Sequence, residues 1–118
     1  MKGYHDATER QPVGNSDFRR VLYTGKNLQL VLMSLPPGCD IGAEVHDDRD
    51  QFFRFEEGRG QVDIDDNSYE VQDGSGVVVP AGARHNVRNT GDTPLKLYTL
   101  YGPPQHRDGI VQSTKEEA

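Results

Sequence analysis

The chain consists of short extended runs, each ended by glycine, proline, asparagine or aspartate. No segment of useful length has the period of an amphipathic helix, and no internal repeat is present. Short strands with frequent turn signals are typical of all-β sandwiches and barrels. The sequence predicts about nine strands, at residues 18–24, 28–35, 44–46, 51–57, 60–64, 69–71, 76–79, 85–89 and 95–101.

Alternation along these strands predicts which side chains face the interior. Successive side chains of a strand point to opposite faces, so Gln51, Phe53 and Phe55 share one face and Arg54 lies on the other. We expect the face with the two phenylalanines to be buried. The run at residues 76–79 is apolar without interruption, which predicts a strand covered on both faces.

Length and charge exclude several classes of protein. With 118 residues the chain is expected to form one small domain. The net charge of −6 argues against binding to nucleic-acid backbone or to an anionic membrane surface. No apolar run approaches the length of a membrane span and no signal peptide is visible, so a cytoplasmic location is expected. Cys39 is the only cysteine and is interpreted as a small structural residue, with a reactive thiol as the alternative.

The two ends of the chain differ in composition from the centre. Residues 1–16 are polar and without period, and are interpreted as a mostly irregular arm in which a short strand docks on a neighbouring subunit. Residues 17–104 carry the predicted strands and form the barrel. Residues 105–118 are interpreted as a polar tail that adds nothing to the core and has one helical turn near residues 115–117.

Four side chains that can bind a metal occur in two glycine-bounded stretches. Glu44 and His46 are two residues apart, so they face the same way in a strand. Gln51 follows an acidic bend at residues 47–50, whose carboxylates are interpreted as a solvated loop rather than a second metal site. His85 follows a tight proline–glycine corner. Together these residues could supply two imidazoles, a carboxylate and an amide oxygen to one ion.

Both stretches resemble the two sequence motifs of the cupin family. The first motif is Gly, five residues, His-x-His, three or four residues, Glu, six residues, Gly. Its spacing is matched by Gly38, Glu44, His46, Gln51 and Gly58. The second motif is Gly, five residues, Pro-x-Gly, two residues, His, three residues, Asn. It is matched at every position by Gly74, Pro80, Gly82, His85 and Asn89. The resemblance extends over residues 28–101.

The resemblance implies a fold and a ligand set. The fold would be the double-stranded β-helix of single-domain cupins, a small jelly-roll-like barrel that commonly forms homodimers through edge strands. The ligands would be Glu44, His46, Gln51 and His85, around one divalent transition metal per chain. Glu44 replaces the first histidine of the family pattern and Gln51 replaces its glutamate. Zinc, iron, manganese, nickel and cobalt all suit such a set.

The resemblance also implies a range of functions. The leading interpretation is a metal-dependent enzyme that acts on a small polar metabolite, with chemistry similar to that of phosphomannose isomerases, which use two His, one Glu and one Gln around zinc. An iron- or nickel-dependent dioxygenase is the alternative within enzymes. A non-catalytic cupin that binds a metal or a small molecule is the alternative outside them. The catalytic base is not identified by the sequence.

A few further residues are candidates for the surroundings of the site. Tyr98 and Tyr101 lie on opposite faces of the last strand, so at most one is expected to line a cavity. His106 follows two prolines and could reach the mouth of the barrel. His5 has no motif support.

Overall fold

The structure is a computed structural model that describes residues 1–117, with ten strands, one short α-helix and one 3₁₀ turn. The strands are β1 (Arg19–Thr24), β2 (Gln29–Leu35), β3 (Glu44–Val45), β4 (Asp50–Glu57), β5 (Gly60–Ile64), β6 (Asn67–Val71), β7 (Gly76–Val79), β8 (Arg84–Asn89), β9 (Leu95–Gly102) and β10 (Val111–Gln112). The helix α1 spans Arg10–Gly14, and the 3₁₀ turn spans Lys115–Glu117, where a helical turn is predicted. Within the described residues, no helix is long and apolar enough to cross a membrane.

The strands form two antiparallel sheets that face each other. The larger sheet has six strands in the order β10-β1-β2-β9-β4-β7, and the smaller has four in the order β3-β8-β5-β6. Strands that are neighbours in a sheet are therefore often distant in the chain, as in the double-stranded β-helix. The prediction of an all-β double-stranded β-helix fold is confirmed.

The core lies between the two sheets and is built by alternation along the strands. Phe53 and Phe55 of β4 are buried there and stack with ring centroids 6.2 Å apart. Val62 and Val87 face them from the smaller sheet and are fully buried. Gln51 shares the buried face of β4, as predicted from the period of the strand. The core therefore extends along β4 up to the polar side chain of Gln51.

The prediction that the strand at residues 76–79 is covered on both faces is wrong. Val79 is buried, but the side chain of Val78 is 65% exposed. The reason is that alternation turns Val79 to the core and Val78 to the outer face of the larger sheet, and only the inner face of β7 meets the core. An unbroken apolar run does not distinguish a doubly covered strand from an edge strand.

The prediction that the C-terminal tail adds nothing to the core is also wrong. β10 pairs with β1, with Arg19 opposite Gln112, and so extends the larger sheet. Ile110 packs against the core, and its carbonyl accepts a hydrogen bond of 2.9 Å from the amide of Val21. Backbone pairing gives this polar segment a place in the sheet that its composition does not reveal.

The N-terminal arm contains the helix α1 where a short docking strand is predicted. Pro12 of α1 is buried, and Gln11 and Tyr4 lie over Leu30 and Tyr98 on the outer face of the larger sheet. The arm therefore covers part of the sheet of its own chain.

Candidate metal centre

Strand pairing brings the two cupin-like motifs together. Glu44 of β3 is the register partner of His85 of β8, and both belong to the smaller sheet. The amide of Gly82, in the corner before β8, donates a 2.9 Å hydrogen bond to the carbonyl of His46. Gly82 has φ of +90°, a conformation that glycine adopts without a steric penalty. The corner therefore ties the second motif to the first at the point where His46 leaves β3.

Glu44, His46 and His85 form a cluster of three potential ligands. One donor atom from each lies within 4.8 Å of the other two. Nε2 of His46 is 3.0 Å from Oε2 of Glu44, and the rings of the two histidines have centroids 5.4 Å apart. Within residues 1–117 this is the only cluster of its kind. Three of the four predicted ligand residues are thus close enough to share one ion.

Each of the two histidines has one ring nitrogen that can bind an ion. Nε2 of His46 is buried and, despite its closeness to Glu44, makes no hydrogen bond of acceptable geometry within the described chain. Nδ1 of His85 lies 3.1 Å from the carbonyl of Ala83 and donates its proton there, which leaves Nε2 as the lone-pair nitrogen. A backbone carbonyl on the far nitrogen is the usual way in which a ligand histidine is oriented.

Gln51 approaches the site from the larger sheet. Its side chain is 4% exposed, and its Nε2 donates a 2.9 Å hydrogen bond to Oγ1 of Thr99. Oε1 of Gln51 is buried and has no partner within the described residues. Gln51 is the register partner of Tyr101, whose ring packs edge-on against His46 with centroids 6.1 Å apart. Gln51 therefore carries a buried acceptor without a partner on the strand next to Tyr101, and its place among the ligands stays a prediction.

These donors fit a divalent transition metal. Imidazole nitrogens, a carboxylate oxygen and an amide oxygen are suitable for zinc, iron, manganese, cobalt or nickel. At metal–ligand distances of about 2.0–2.2 Å, neighbouring ligand atoms are separated by about 3 Å, which is close to the Glu44–His46 distance. Leaving His46 Nε2 and Gln51 Oε1 buried without partners costs free energy, and coordination to an ion would remove that cost.

Tyr101 and His106 line the same side of the site. Nε2 of His106 is 3.3 Å from the hydroxyl of Tyr101, and the two rings are nearly perpendicular. Burial, together with the charge of Glu44, raises the pKa of the Tyr101 phenol above its ordinary value. Burial, with the cations Arg19 and Arg49 and nearby His46, lowers the pKa of His106 to about 4. Both side chains are therefore neutral near pH 7, and of the two tyrosines in β9 Tyr101 faces the site, as the alternation allows.

The tail segment that carries His106 is held by the buried side chain of Gln29. Oε1 of Gln29 accepts hydrogen bonds from the amides of Gln105 and His106, at 3.0 and 2.9 Å. Nε2 of Gln29 donates to the carbonyl of His106 at 2.7 Å and to the hydroxyl of Thr24 at 2.9 Å. Gln29 carries no motif signal, so the sequence analysis missed its role in placing His106.

Other candidates do not join the site. His5 is exposed, and Cys39 is half-buried. Nε of Arg54 lies 2.8 Å from Glu56 on the opposite face of β4. In the acidic bend, Asp48 pairs with Arg49 and Asp50 accepts a 2.8 Å hydrogen bond from the amide of Ala81.

The larger surface clefts lie away from the cluster. One of about 450 Å³ lies between α1 and β1, and another of about 500 Å³ lies beside β5 and β6. Neither is lined by Glu44, His46, Gln51 or His85. Convergent donor atoms, rather than a large cleft, define the candidate site.

Comparison with known proteins assigns the family. The profile of the cupin domain matches residues 31–101, so the chain belongs to the cupin family. The protein YrkC of Bacillus subtilis is 52% identical over 110 residues, which cover 88% of this chain and 59% of YrkC. The crystal structure of BH2720 from Bacillus halodurans has a TM-score of 0.97 at 46% identity, covering 98% of this chain and 92% of that one.

A more distant relative is a much longer protein. Mannose-1-phosphate guanylyltransferase RfbM of Salmonella typhimurium is 29% identical over 80 residues. The match covers 68% of this chain but only 17% of RfbM.

Metal binding is the first property to test. We expect the wild-type protein to bind about one divalent transition metal per chain, and His46→Ala or His85→Ala to reduce its affinity by about 100-fold or more, because each change removes a ligand. His5→Ala, which alters an exposed histidine outside the cluster, should bind as the wild type does. Elemental analysis and equilibrium titration measure both quantities; no metal after reloading at neutral pH would contradict the assignment.

X-ray absorption on the bound metal tests Gln51 separately. Gln51→Ala should remove one oxygen from the first coordination shell. An unchanged shell would remove Gln51 from the ligand set and make it a residue that orients a ligand or a bound water.

The depressed pKa of His106 predicts a pH dependence of stability. An unfolded imidazole takes up a proton near pH 6.5, whereas folded His106 does so at about pH 4. The unfolded state therefore binds more protons between these values, so the free energy of unfolding should decrease as the pH falls from about 6.5 to about 4. His106→Gln should flatten that slope in the metal-free protein, and His5→Gln should leave it unchanged. Urea unfolding at several pH values measures the slope; equal slopes in all three proteins would refute the burial of His106.

Proposed function

We propose that this cupin is a divalent-metal-dependent enzyme that isomerises a small α-hydroxy carbonyl metabolite of the sugar-phosphate type. The observation that carries the proposal is the convergence of the Glu44, His46 and His85 donor atoms within 4.8 Å. The unsatisfied Oε1 of Gln51 beside them supports it. Two neutral imidazoles, one carboxylate and one neutral amide are the ligand types of phosphomannose isomerases, which the sequence resembles in this respect.

The charge of the ligand set suits this chemistry. Glu44 is the only anionic ligand, so a bound 2+ ion would keep a net charge of about +1. Such an ion supplies Lewis acidity, which polarises a carbonyl and makes the neighbouring C–H group more acidic. The carboxylate of Glu44 is partly exposed while both histidines are largely buried. Substrate therefore approaches from the side of Glu44.

The chain's own residues orient the substrate. Tyr101 is buried and its phenol stays neutral, so its hydroxyl can donate a hydrogen bond to a substrate oxygen beside His46. His106 fixes the direction of that hydroxyl through the 3.3 Å contact at Nε2. Thr99 holds the amide of Gln51, which directs its oxygen rather than its nitrogen to the cluster. Each of these groups is positioned before substrate arrives, which is what electrostatic catalysis requires.

The similarity to RfbM favours a sugar phosphate among possible substrates. That relative is named as a mannose-1-phosphate guanylyltransferase, and its matching segment is a small part of its length. The similarity supports a class of substrate for this chain rather than a reaction.

A dioxygenase is the second candidate, and one observation favours it. Glu44, His46 and His85 by themselves form a set of two histidines and one carboxylate, the ligand types of non-haem iron oxygenases. If Gln51 does not bind the ion but hydrogen-bonds to a water on it, the iron would have three protein ligands.

Activity with defined metal forms tests the two candidates. The zinc or manganese form should exchange the α-proton of sugar phosphates with solvent deuterium, as measured by NMR, and the iron form should not consume oxygen. Tyr101→Phe should lower the rate about tenfold or more, because it removes the hydrogen-bond donor. Tyr98→Phe, on the outer face of the same strand, should not. Oxygen consumption by the iron form would establish the second candidate. If no metal form turns over any substrate, the protein would be a non-catalytic binding protein.

We also propose that the chain forms a homodimer through the edge strand β7. Val78 is 65% exposed on this strand, whose outer edge is unpaired within the described residues. An exposed apolar edge strand is a template for pairing with another strand. Light scattering at micromolar concentration should give twice the mass of one chain, and Val78→Lys should give a single chain. Val45→Lys, on an edge of the smaller sheet, is the control; a wild-type monomer would exclude the proposal.

A further inference from the structure

An unbroken apolar row crosses the outer face of the larger sheet. Register partners in an antiparallel pair lie side by side on the same face, and successive pairings join outward-facing residues of five neighbouring strands. From β7 to β1 the row consists of Val78, Phe52, Leu100, Leu30 and Tyr23. Every member is aliphatic or aromatic, although the outer face of an antiparallel sheet commonly carries polar side chains. The composition of this face is therefore that of a packing surface.

The N-terminal arm covers only the β1–β2 end of the row. Tyr4 of the arm packs against Tyr23, with ring centroids 6.0 Å apart. At the other end Val78 is 65% exposed, and Phe52 and Leu100 are half-buried. Contiguous apolar surface that stays in contact with water marks an interaction site. The part of the row on β9, β4 and β7 is therefore a sheet face without a covering layer.

The charges beside the row fit a second copy of the same chain. On β4, Asp50 and Arg54 point outward two residues before and two residues after Phe52. A two-fold axis along the row turns one copy over, so Arg54 of each copy faces Asp50 of the other. Asp50 is exposed, whereas Glu56, the other outward acid of β4, is largely buried against Nε of Arg54 at 2.8 Å. Asp50 is thus the acid that a second copy meets, and the face is complementary to itself in charge.

The same symmetry matches the shape of the face on β9. Tyr98 and Gly102 occupy the outward positions two residues before and two residues after Leu100. Under the two-fold axis, the ring of Tyr98 from one copy lies over Gly102 of the other, where no side chain projects. The strands of the two sheets then run nearly antiparallel across the contact, which is the aligned packing of β-sandwiches.

The face is also large enough for a stable dimer. Five neighbouring strands at a spacing of about 4.8 Å give it a width of roughly 24 Å. β4 and β9 have 8 residues each, so at about 3.4 Å per residue its length is roughly 27 Å. This size is comparable to the surface of about 800 Å² that each subunit buries in a standard interface. Because the arm lies on one end of the face, the contact includes residues of the arm.

We propose that two copies of this chain pack through the outer faces of their larger sheets, with a two-fold axis along the apolar row. This inference rests on the proposed homodimer and assigns its contact to the outward side chains of β7, β4 and β9. Pairing of two β7 edges is the other way in which β7 can join two copies, and it leaves Val78 and Leu100 in contact with water. The two arrangements are therefore distinguishable in a dimer.

Accessibility of methyl groups to a soluble paramagnetic agent tests the surface in the wild-type protein. A gadolinium chelate is added to protein with ¹³C-labelled valine and leucine methyls, and it broadens the NMR signals of exposed methyls. In a single chain Val78 is more exposed than Val45 of the smaller sheet, at 65% against 46%. In the dimer we expect the reverse order, with the signals of Val78 and Leu100 broadened less than that of Val45.

Matched variants test the same surface by mass. Leu100→Lys should give the mass of a single chain in light scattering, because it buries an unpaired charge at the contact. Val45→Lys should stay dimeric. Arg54→Asp should weaken the dimer by about tenfold or more in sedimentation, because two acids then face each other, and addition of Asp50→Arg should restore it. A cooperative thermal transition shows that each variant is folded. If Leu100→Lys does not fold, the charge exchange and the methyl measurement supply the answer.

Each contrary result has a defined meaning. A wild-type monomer overturns both the proposed homodimer and this surface. A dimer in which Val78 stays more accessible than Val45 overturns the surface and keeps the homodimer, with β7 edges paired. A dimer of Leu100→Lys, or no recovery when Asp50→Arg is added to Arg54→Asp, also overturns the surface. Metal binding and activity are measured separately, so their failure leaves this inference unchanged.

Discussion

The pairing of β3 with β8 is the interaction on which the site depends. β3 has only two residues, yet its register places Glu44 opposite His85 and holds His46 one residue beyond its end. The hydrogen bond from Gly82 to the His46 carbonyl secures the same junction from the neighbouring corner. A shift of one residue in this register would turn Glu44 to the other side of the sheet. The smaller sheet therefore supplies three of the four proposed ligands through one short ladder.

The larger sheet completes the site with groups of a different kind. Gln51, Tyr101 and Gln29 lie side by side across β4, β9 and β2, and all three are buried. Gln51 carries a buried oxygen without a partner, Tyr101 packs on His46, and Gln29 fixes the tail. This row runs from the metal ligands to the C-terminal segment. The site thus lies where one row of the larger sheet faces the β3–β8 ladder.

Two buried polar atoms without hydrogen-bond partners belong to the proposed site. Among the described residues four side-chain atoms are buried and unsatisfied, and three of them belong to His46, Gln51 and Arg19. The fourth, Nε of Arg54, lies on the opposite face of β4, 2.8 Å from Glu56 and away from the cluster. Folded proteins satisfy nearly all such atoms, so unsatisfied ones are informative about ligands. At His46 and Gln51 they support the proposed metal ion.

Local pattern was sufficient to predict the all-β class of the fold and the cluster of potential ligands. The period of β4 placed Gln51, Phe53 and Phe55 on one face, and the motif spacings selected Glu44, His46 and His85. Position within a sheet was decided by the tertiary structure alone. Val78 is exposed because it points to the outer face of the larger sheet, and the polar tail joins the sheet because β1 offers an unpaired edge. His106 reaches Tyr101 because the distant residue Gln29 holds its backbone, a contact that no spacing along the chain records. Spacing along the chain predicts the face of the strand on which a side chain lies. Only the assembled sheets determine which residues from distant segments come into contact.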